Sequence, residues 1–205
     1  MGYIKPDPKK DYALVLGASS GFGEATVLEL ARLGFNIIGI HLDRGSSMTK
    51  VEQLIRQIET AVVVALFFNI NAAAEKNREL VLQRLQDHFK IKGVGGQIKV
   101  VMHSLAFGSL APFIHREPAQ RISAKQMEMT INVMANSLVY WIQDLMDADM
   151  LARGAKIYAM TSSGSLRVTP FYGAVSAAKA ALESHVRQLA LELAPHGITV
   201  NAIRA

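Results

Sequence analysis

The chain has 205 residues, half of them hydrophobic, no cysteine and a formal net charge of +5. This length is typical of one domain, so residues 1–205 are expected to form a single domain, and the lack of cysteine excludes disulfides and thiolate metal sites. The lysines and arginines are scattered, which argues against nucleic-acid binding. The longest apolar run, residues 61–68, is too short to span a membrane, and the N-terminus has no signal-peptide pattern. We therefore expect a cytoplasmic protein without a membrane segment.

Apolar runs typical of buried strands alternate with helical patterns along the chain. Strands are predicted at Tyr12–Leu16, Asn36–Ile40, Val62–Phe68, Ile98–Met102, Ile157–Met160 and Ile198–Ala202. Two long helices are predicted over residues 123–150 and 173–194, the second ended by Pro195 and Gly197. Because parallel strands need helical crossovers, the alternation predicts an α/β fold with a doubly wound, Rossmann-like parallel sheet. The chain stops just after a predicted strand, so we expect the fold to be cut short at its C-terminus.

The stretch GASSGFG, residues 17–23, joins the first predicted strand to a helix. Its glycines let a diphosphate approach the backbone, and the helix N-terminus favours negative charge. The serines add hydroxyl donors inside the turn. The pattern predicts a dinucleotide site formed by Gly17, Ser19, Ser20, Gly21, Phe22 and Gly23. A glycine-rich turn without a ligand is the alternative.

The residues after the second strand indicate which dinucleotide would bind. Asp43 would accept hydrogen bonds from a free ribose 2′-hydroxyl, as in NAD, whereas Arg44 would pair with a 2′-phosphate, as in NADP. The first residue past the strand is His41 rather than an acid, which favours NADP and leaves NAD open. A solvated turn is the alternative for Asp43 and Arg44.

Tyr172 lies seven residues before Lys179 at the start of the second long helix. Seven residues complete about two helical turns, so both side chains are predicted to share one face. A nearby ammonium favours the ionised form of a phenol and makes it a better proton donor to an oxyanion. The lysine can also hold ribose hydroxyls of a nicotinamide nucleotide. Chance proximity is the alternative, and the glycine turn upstream favours the functional interpretation.

Four stretches together resemble the short-chain dehydrogenase/reductase family over essentially the whole chain. They are GASSGFG, HSLAFG (residues 103–108), TSSGS (residues 161–165) and the segment from Tyr172 to Ile203. The usual family pattern places the tyrosine four residues before the lysine, where this chain has Val175. The wider spacing and HSLAFG resemble the enoyl-acyl-carrier-protein reductases. This resemblance implies reduction of a carbon–carbon double bond conjugated to a thioester, with NADP or NAD.

The resemblance also implies site residues. Tyr172, Lys179, Ser162 and Asn132 are expected to be catalytic, with Asn136 as a rival to Asn132. Further cofactor contacts are expected from Asn69, Ile70, Ser104, Leu105, Ala106 and Lys179. Ser162 stands where ordinary members keep a substrate-orienting serine and many enoyl reductases a tyrosine, so the site combines features of both groups. The histidines show no metal-ligand spacing, and no metal is predicted.

Spacing gives the enoyl interpretation a geometric argument. On a helix, a shift from four to seven residues before the lysine moves the tyrosine about 4.5 Å along the axis. This suits charge on a thioester oxygen, which lies two bonds farther from the carbon that receives hydride than a ketone oxygen does. The alternatives are a carbonyl reductase or alcohol dehydrogenase, favoured by Ser162, and a non-catalytic dinucleotide-binding protein. Apolar and small residues on the long helices predict a homodimer or homotetramer.

Overall fold

The computed structural model describes residues 6–92 and 96–205, and these contain a single parallel sheet. Its strands are β1 (Asp11–Leu16), β2 (Asn36–His41), β3 (Ala65–Asn69), β4 (Gln97–His103), β5 (Leu151–Thr161) and β6 (Thr199–Arg204). All pairings are parallel, in the order β3-β2-β1-β4-β5-β6. The predicted doubly wound parallel sheet is confirmed.

Helices cover both faces of the sheet. They are α1 (Gly21–Arg32), α2 (Ser47–Glu59), α3 (Glu75–Lys92), α4 (Ala124–Ile131), α5 (Ser137–Asp147) and α6 (Gly173–Leu193). One core joins the sheet to α1 and α2, and the other joins it to α3, α5 and α6 around the fully buried Trp141. Every residue of β1 and β2 is buried, as expected for strands covered on both sides. No helix among the described residues is long and apolar enough to cross a membrane.

The predicted helix over residues 123–150 is divided. It starts in a capping box between Ser123 and Gln126, and α4 then passes into a π-helical turn over Asn132–Asn136 before α5 begins. The Ser137 hydroxyl donates to the carbonyl of Val133 at 2.7 Å, a local bond that competes with regular helical pairing. The chain leaves the helix at Asp147, so the predicted end at residue 150 is wrong.

Two strands start elsewhere than predicted. Val62 adopts a left-handed conformation, with φ of 60°, in the turn after α2, so β3 begins at Ala65 rather than at Val62. The start of β5 lies earlier than Ile157, because Leu151 already pairs with Ile98. Exposed residues within β5 interrupt its apolar pattern and conceal its first half.

A buried carboxylate, that of Asp11, lies at the edge of the sheet where the strands begin. The fully buried Asp11 accepts hydrogen bonds from Lys99 Nζ at 2.7 Å, Gln97 Nε2 at 2.9 Å and the Asp7 amide at 2.7 Å. Burial opposes ionisation, but these hydrogen bonds outweigh it and hold the pKa of Asp11 below its ordinary value. The stabilisation is therefore present above the unfolded-state pKa and is lost as the pH falls through the folded-state pKa.

Replacing this carboxylate tests its contribution to stability. Asp11→Asn should lower the free energy of unfolding by about 2 kcal/mol at pH 7, because the charge-assisted bond to Lys99 is lost. Urea unfolding at pH 7 and again near pH 3 measures the difference between variant and wild type. The gap should shrink at the lower pH; a gap of equal size at both values would contradict the assignment.

Candidate active site

The glycine turn after β1 is packed backbone against backbone. Gly17 has a φ of 85°, and a Cβ on it would lie 2.5 Å from the carbonyl oxygen of Ser104. A Cβ on Gly23 would overlap the carbonyl oxygen of Gly17. Helix α1 begins at Gly21, and the N–H groups of its first turn have no partner within the helix. The turn therefore presents backbone donors and the positive end of a helix at the carboxyl edge of the sheet.

A first cavity of about 280 Å³ lies beside this turn. The predicted cofactor residues that line it are Gly17, Ser19, Ser20, His41, Ile70, Ser104, Leu105 and Ala106. The other lining residues include Phe107, and no acidic side chain is among them. A partly apolar cavity that is without acidic side chains and lies at a helix N-terminus is suited to an anionic ligand that carries flat rings.

A second cavity of about 220 Å³ adjoins the first across residues 104–106. It brings together three of the four predicted catalytic residues, Ser162, Tyr172 and Lys179, with the predicted cofactor residue Phe22. Its remaining lining residues outside the 104–106 turn are Met134, Met160, Thr161 and Ala205. The glycine turn and the tyrosine–lysine pair, far apart in sequence, thus meet at one edge of the sheet.

Tyr172 is placed by the turn that precedes α6. It is the N-cap residue of that helix, and Phe171 before it is left-handed, with φ of 64°. The Tyr172 carbonyl oxygen accepts the first helical hydrogen bond, from the Ser176 amide at 2.8 Å, and the Tyr172 side chain lines the same cavity as Lys179. The tyrosine ring packs on Gly164, where a Cβ would overlap its Cε1 atom. The left-handed turn at Phe171 and this contact with Gly164 fix the position of the phenol.

Lys179 is buried at the floor of the second cavity, with 5% of its surface exposed. Its Nζ donates to the carbonyl oxygen of Met160 at 2.7 Å. Burial lowers the pKa of Lys179 to about 8, because an ammonium loses hydration there. An ammonium has three N–H bonds, so two remain for other acceptors beyond the Met160 carbonyl.

Ser162 and Val175 occupy the two positions that separate the possible reaction classes. The Ser162 Oγ accepts a hydrogen bond from the Gly164 amide at 3.1 Å, and a hydroxyl that accepts still carries its own proton to donate. Val175, four residues before the lysine, is buried and packs in an apolar cluster with Met134 and Ala178. Among the residues that the structure describes, Tyr172 is the only tyrosine that lines either cavity.

The turn after β2 is held by polar contacts. Asp43 lies 2.9 Å from His41 Nδ1, and although burial opposes ionisation, hydrogen bonds from Ser19, His41 and Ser47 lower the pKa of Asp43. The Asn69 side chain makes two hydrogen bonds with the Asp43 backbone: it accepts from the amide at 3.1 Å and donates to the carbonyl at 2.9 Å. The Asn69 side chain is thus engaged with this turn, and Arg44 is exposed.

Some predicted site residues lie outside both cavities. They are Gly21, Gly23, Asp43, Arg44, Asn69 and Asn132. Asn132 lies in the π-helical turn, whereas its rival Asn136 pairs with His185 Nε2 at 3.1 Å. The catalytic role of Asn132 stays a prediction.

Sequence reasoning did not single out His103, the last residue of β4. It is fully buried; its Nε2 lies 2.9 Å from Ser137 Oγ, and its Nδ1 has no partner among the described residues. Burial, and then the charge of Lys179, lower the pKa of His103 to about 3, so the ring is neutral.

Thr161 and Met134 were also missed: the end of a strand is a signal for the first, whereas only tertiary packing brings in the second. Within residues 6–92 and 96–205, no cluster of acidic and histidine side chains is arranged to hold a metal ion.

Comparison with known proteins identifies similar sequences. The very-long-chain 3-oxoacyl-CoA reductase of Aspergillus terreus is 29% identical over 202 residues, which cover 97% of this chain and 53% of that protein. The enoyl-acyl-carrier-protein reductase (NADH) FabI of Aquifex aeolicus is 24% identical over 193 residues, covering 94% of this chain and 67% of the relative. The chain spans about half the length of the 3-oxoacyl-CoA reductases it matches.

Solved structures show the same fold. A short-chain dehydrogenase from Burkholderia cenocepacia in complex with NADP superposes with a TM-score of 0.76 at 23% identity, covering 96% of this chain and 73% of that chain. A family model described as Enoyl-(Acyl carrier protein) reductase matches residues 17–205. Because this match covers most of the chain, the protein belongs to the short-chain dehydrogenase/reductase family, in the group that this enoyl reductase model describes.

Proposed function

We propose that the protein is an NAD(P)H-dependent oxidoreductase that reduces the carbon–carbon double bond of an enoyl thioester. The observation that carries the proposal is the shared cavity of Ser162, Tyr172 and Lys179, which adjoins the cavity at the glycine turn. A proton donor, a cation and a candidate dinucleotide site meet there. Membership of the family supports the same reaction class.

The residues of the first cavity fit a dinucleotide. Glycine at 17 and 23 keeps the turn free of side chains, and α1 directs its first-turn N–H groups toward an anion. Ser20 lines the cavity with a hydroxyl that can donate, whereas the Ser19 hydroxyl donates to Asp43, and residues 104–106 form the wall shared with the catalytic side chains. When bound, a reduced nicotinamide dinucleotide supplies hydride to the substrate.

The roles of the side chains follow from their chemistry. Tyr172 donates a hydrogen bond, and then a proton, to the thioester oxygen as negative charge builds there. Lys179 stays protonated at neutral pH and donates to ribose hydroxyls with the N–H bonds that Met160 does not use. Ser162 orients the substrate through its own hydroxyl proton.

Two observations favour enoyl over carbonyl reduction. The position four residues before Lys179 is taken by the buried Val175, so the acid has to come from Tyr172. The matching family model carries the description of an enoyl reductase.

Reduction of a 3-oxoacyl thioester is the second candidate. Ser162 lines the same cavity as Tyr172 and can share in binding a ketone oxygen, and the 29% identical relative is a 3-oxoacyl-CoA reductase. Both candidates use the same cofactor and acid. They differ in which substrate carbon lies at the site of hydride transfer.

Assembly is a further part of the proposal. Ala177, Ala180 and Ser184 are exposed along α6 and allow another helix to approach closely. We infer a homodimer or homotetramer packed through this face.

Substrate preference tests the reaction class directly. With NADPH or NADH, a crotonyl thioester should be reduced faster than an acetoacetyl thioester, as followed by nicotinamide absorbance. Tyr172→Phe should lower kcat by roughly 100-fold, because the proton donor is lost. Tyr158→Phe, on β5 and outside both cavities, should retain activity. Turnover of the ketone alone would transfer the assignment to the second candidate.

The burial of Lys179 predicts opposite pH trends for activity and stability. The charged form holds the ribose, so kcat/KM should fall as the pH rises through about 8. The unfolded chain keeps its proton up to the ordinary lysine pKa, so stability should rise over the same interval, by about 3 kcal/mol. Urea unfolding of wild type and Lys179→Met between pH 7 and 10 measures this; a variant that keeps the same slope would refute it.

Asp43 and Arg44 should set the choice between NADP and NAD. The ionised Asp43 bonds to Ser19 and His41, which line the first cavity, so its charge repels a 2′-phosphate that Arg44 attracts. Asp43→Asn should move the ratio of NADPH to NADH affinity about tenfold toward NADPH, and Arg44→Gln should move it the other way. Fluorescence titration gives both constants, with the exposed Glu52→Gln on α2 as control. Equal ratios in all three variants would exclude this role.

A further inference from the structure

One carboxylate oxygen of Glu183 joins several elements beside the second cavity. Its Oε1 lies 2.7 Å from Thr161 Oγ1, 2.8 Å from Ser165 Oγ and 3.4 Å from Arg204 Nη2. Thr161 ends β5, Ser165 ends the short helical turn that follows it, and Arg204 ends β6. Glu183 itself lies on α6, one turn after Lys179. A single atom thus ties the helix to two strand ends and to the turn between β5 and α6.

The carboxylate is charged and mostly removed from solvent. The exposed fraction of its side chain is 16%, and burial opposes its ionisation. Hydrogen bonds from Thr161 and Ser165, and the nearby Arg204, outweigh burial and lower the pKa of Glu183. Hydrogen bonds to an ionised acceptor are about twice as strong as neutral ones. The hydroxyls are therefore held firmly at the carboxylate.

The turn that Glu183 holds carries Ser162 and supports the ring of Tyr172. Ser165 Oγ also lies 3.0 Å from the carbonyl oxygen of Ser162, and the Gly164 amide donates to Ser162 Oγ. The Tyr172 ring also packs directly on Gly164. A shift of this turn would move the serine hydroxyl and the phenol together.

Glu183 lines neither cavity, so it acts through the turn rather than on the substrate. We propose that Glu183 is a positioning residue, whose carboxylate fixes the turn over residues 161–165 and thereby holds the Ser162 hydroxyl and the Tyr172 ring in place beside Lys179. The inference rests on the proposed function, since Ser162 and Tyr172 are two of its catalytic residues. A misplacement of about 1 Å at a catalytic group costs up to 100-fold in rate, so a rigid support is needed.

Substitutions at Glu183 test this role. Glu183→Ala should lower kcat by roughly 100-fold and Glu183→Gln, which keeps the shape and a neutral acceptor, by about tenfold. The Kd for NADPH, measured by fluorescence titration, should change less than twofold in both. Amide hydrogen exchange should become faster in residues 161–172 and stay unchanged in α1 and β1.

Asp11→Asn is the matched control. Asp11 is also a carboxylate with three hydrogen-bond partners, but it lies at the opposite edge of the sheet. Its variant should lose at least as much in Tm as Glu183→Gln and keep kcat. A loss of kcat in Asp11→Asn equal to that in Glu183→Gln, at equal loss of Tm, would reduce Glu183 to general stability and overturn the proposal.

Hydrogen exchange separates this proposal from the proposed function. If the wild-type protein turns over no thioester, the proposed function fails, and exchange still decides whether Glu183 holds the turn. Faster exchange in residues 161–172 of Glu183→Gln, absent from Asp11→Asn, supports the tether. Unchanged exchange, or unchanged kcat in an active enzyme, overturns it. Glu183→Gln keeps the test open if Glu183→Ala does not fold.

Discussion

The candidate site depends on a close backbone contact between two turns of the sheet. A Cβ on Gly17 would lie 2.5 Å from the Ser104 carbonyl oxygen, and one on Gly23 would overlap Gly17. The turns after β1 and β4 and the start of α1 therefore meet without intervening side chains. The strand order reverses between β1 and β4, and a crevice opens at such a point. Both cavities share residues 104–106 as a wall, so this contact positions each of them.

Local patterns in the sequence were sufficient for the fold and the edge at which the site lies. Continuous apolar runs mark strands buried on both faces, and glycine spacing marks the turn at Gly17–Gly23. These signals are local, and parallel pairing brings the carboxyl ends of the strands to one edge. The seven-residue spacing predicted that the tyrosine and the lysine lie side by side, and both line the second cavity. The fold and the location of the site can therefore be predicted from the residue types and the order of the strands.

Other features arise from tertiary packing and left no clear local signal. Phe171 is left-handed although it is not glycine, and the Tyr172 ring that follows this turn packs on Gly164. Met134 reaches the second cavity from the π-helical turn. The hydrophobic periodicity of the sequence does not predict the extra residue in that turn. The contacts of Glu183 join residues far apart in sequence, so its role became visible only with distances. In each case the surrounding structure overrides local preference.

Helix α6 carries two charged side chains one turn apart, the buried Lys179 and the half-buried Glu183, and both bond to the end of β5. Lys179 donates to the Met160 carbonyl, and Glu183 accepts from the Thr161 hydroxyl. Burying charges in this way contributes little to stability, since apolar side chains of similar volume would pack as well or better. Directional bonds, however, permit only one register of the helix along the strand, whereas apolar contacts tolerate sliding. The bonds of Lys179 and Glu183 therefore fix the positions of the lysine, the serine turn and the phenol relative to one another. The protein is less stable than it would be with apolar side chains at these two positions.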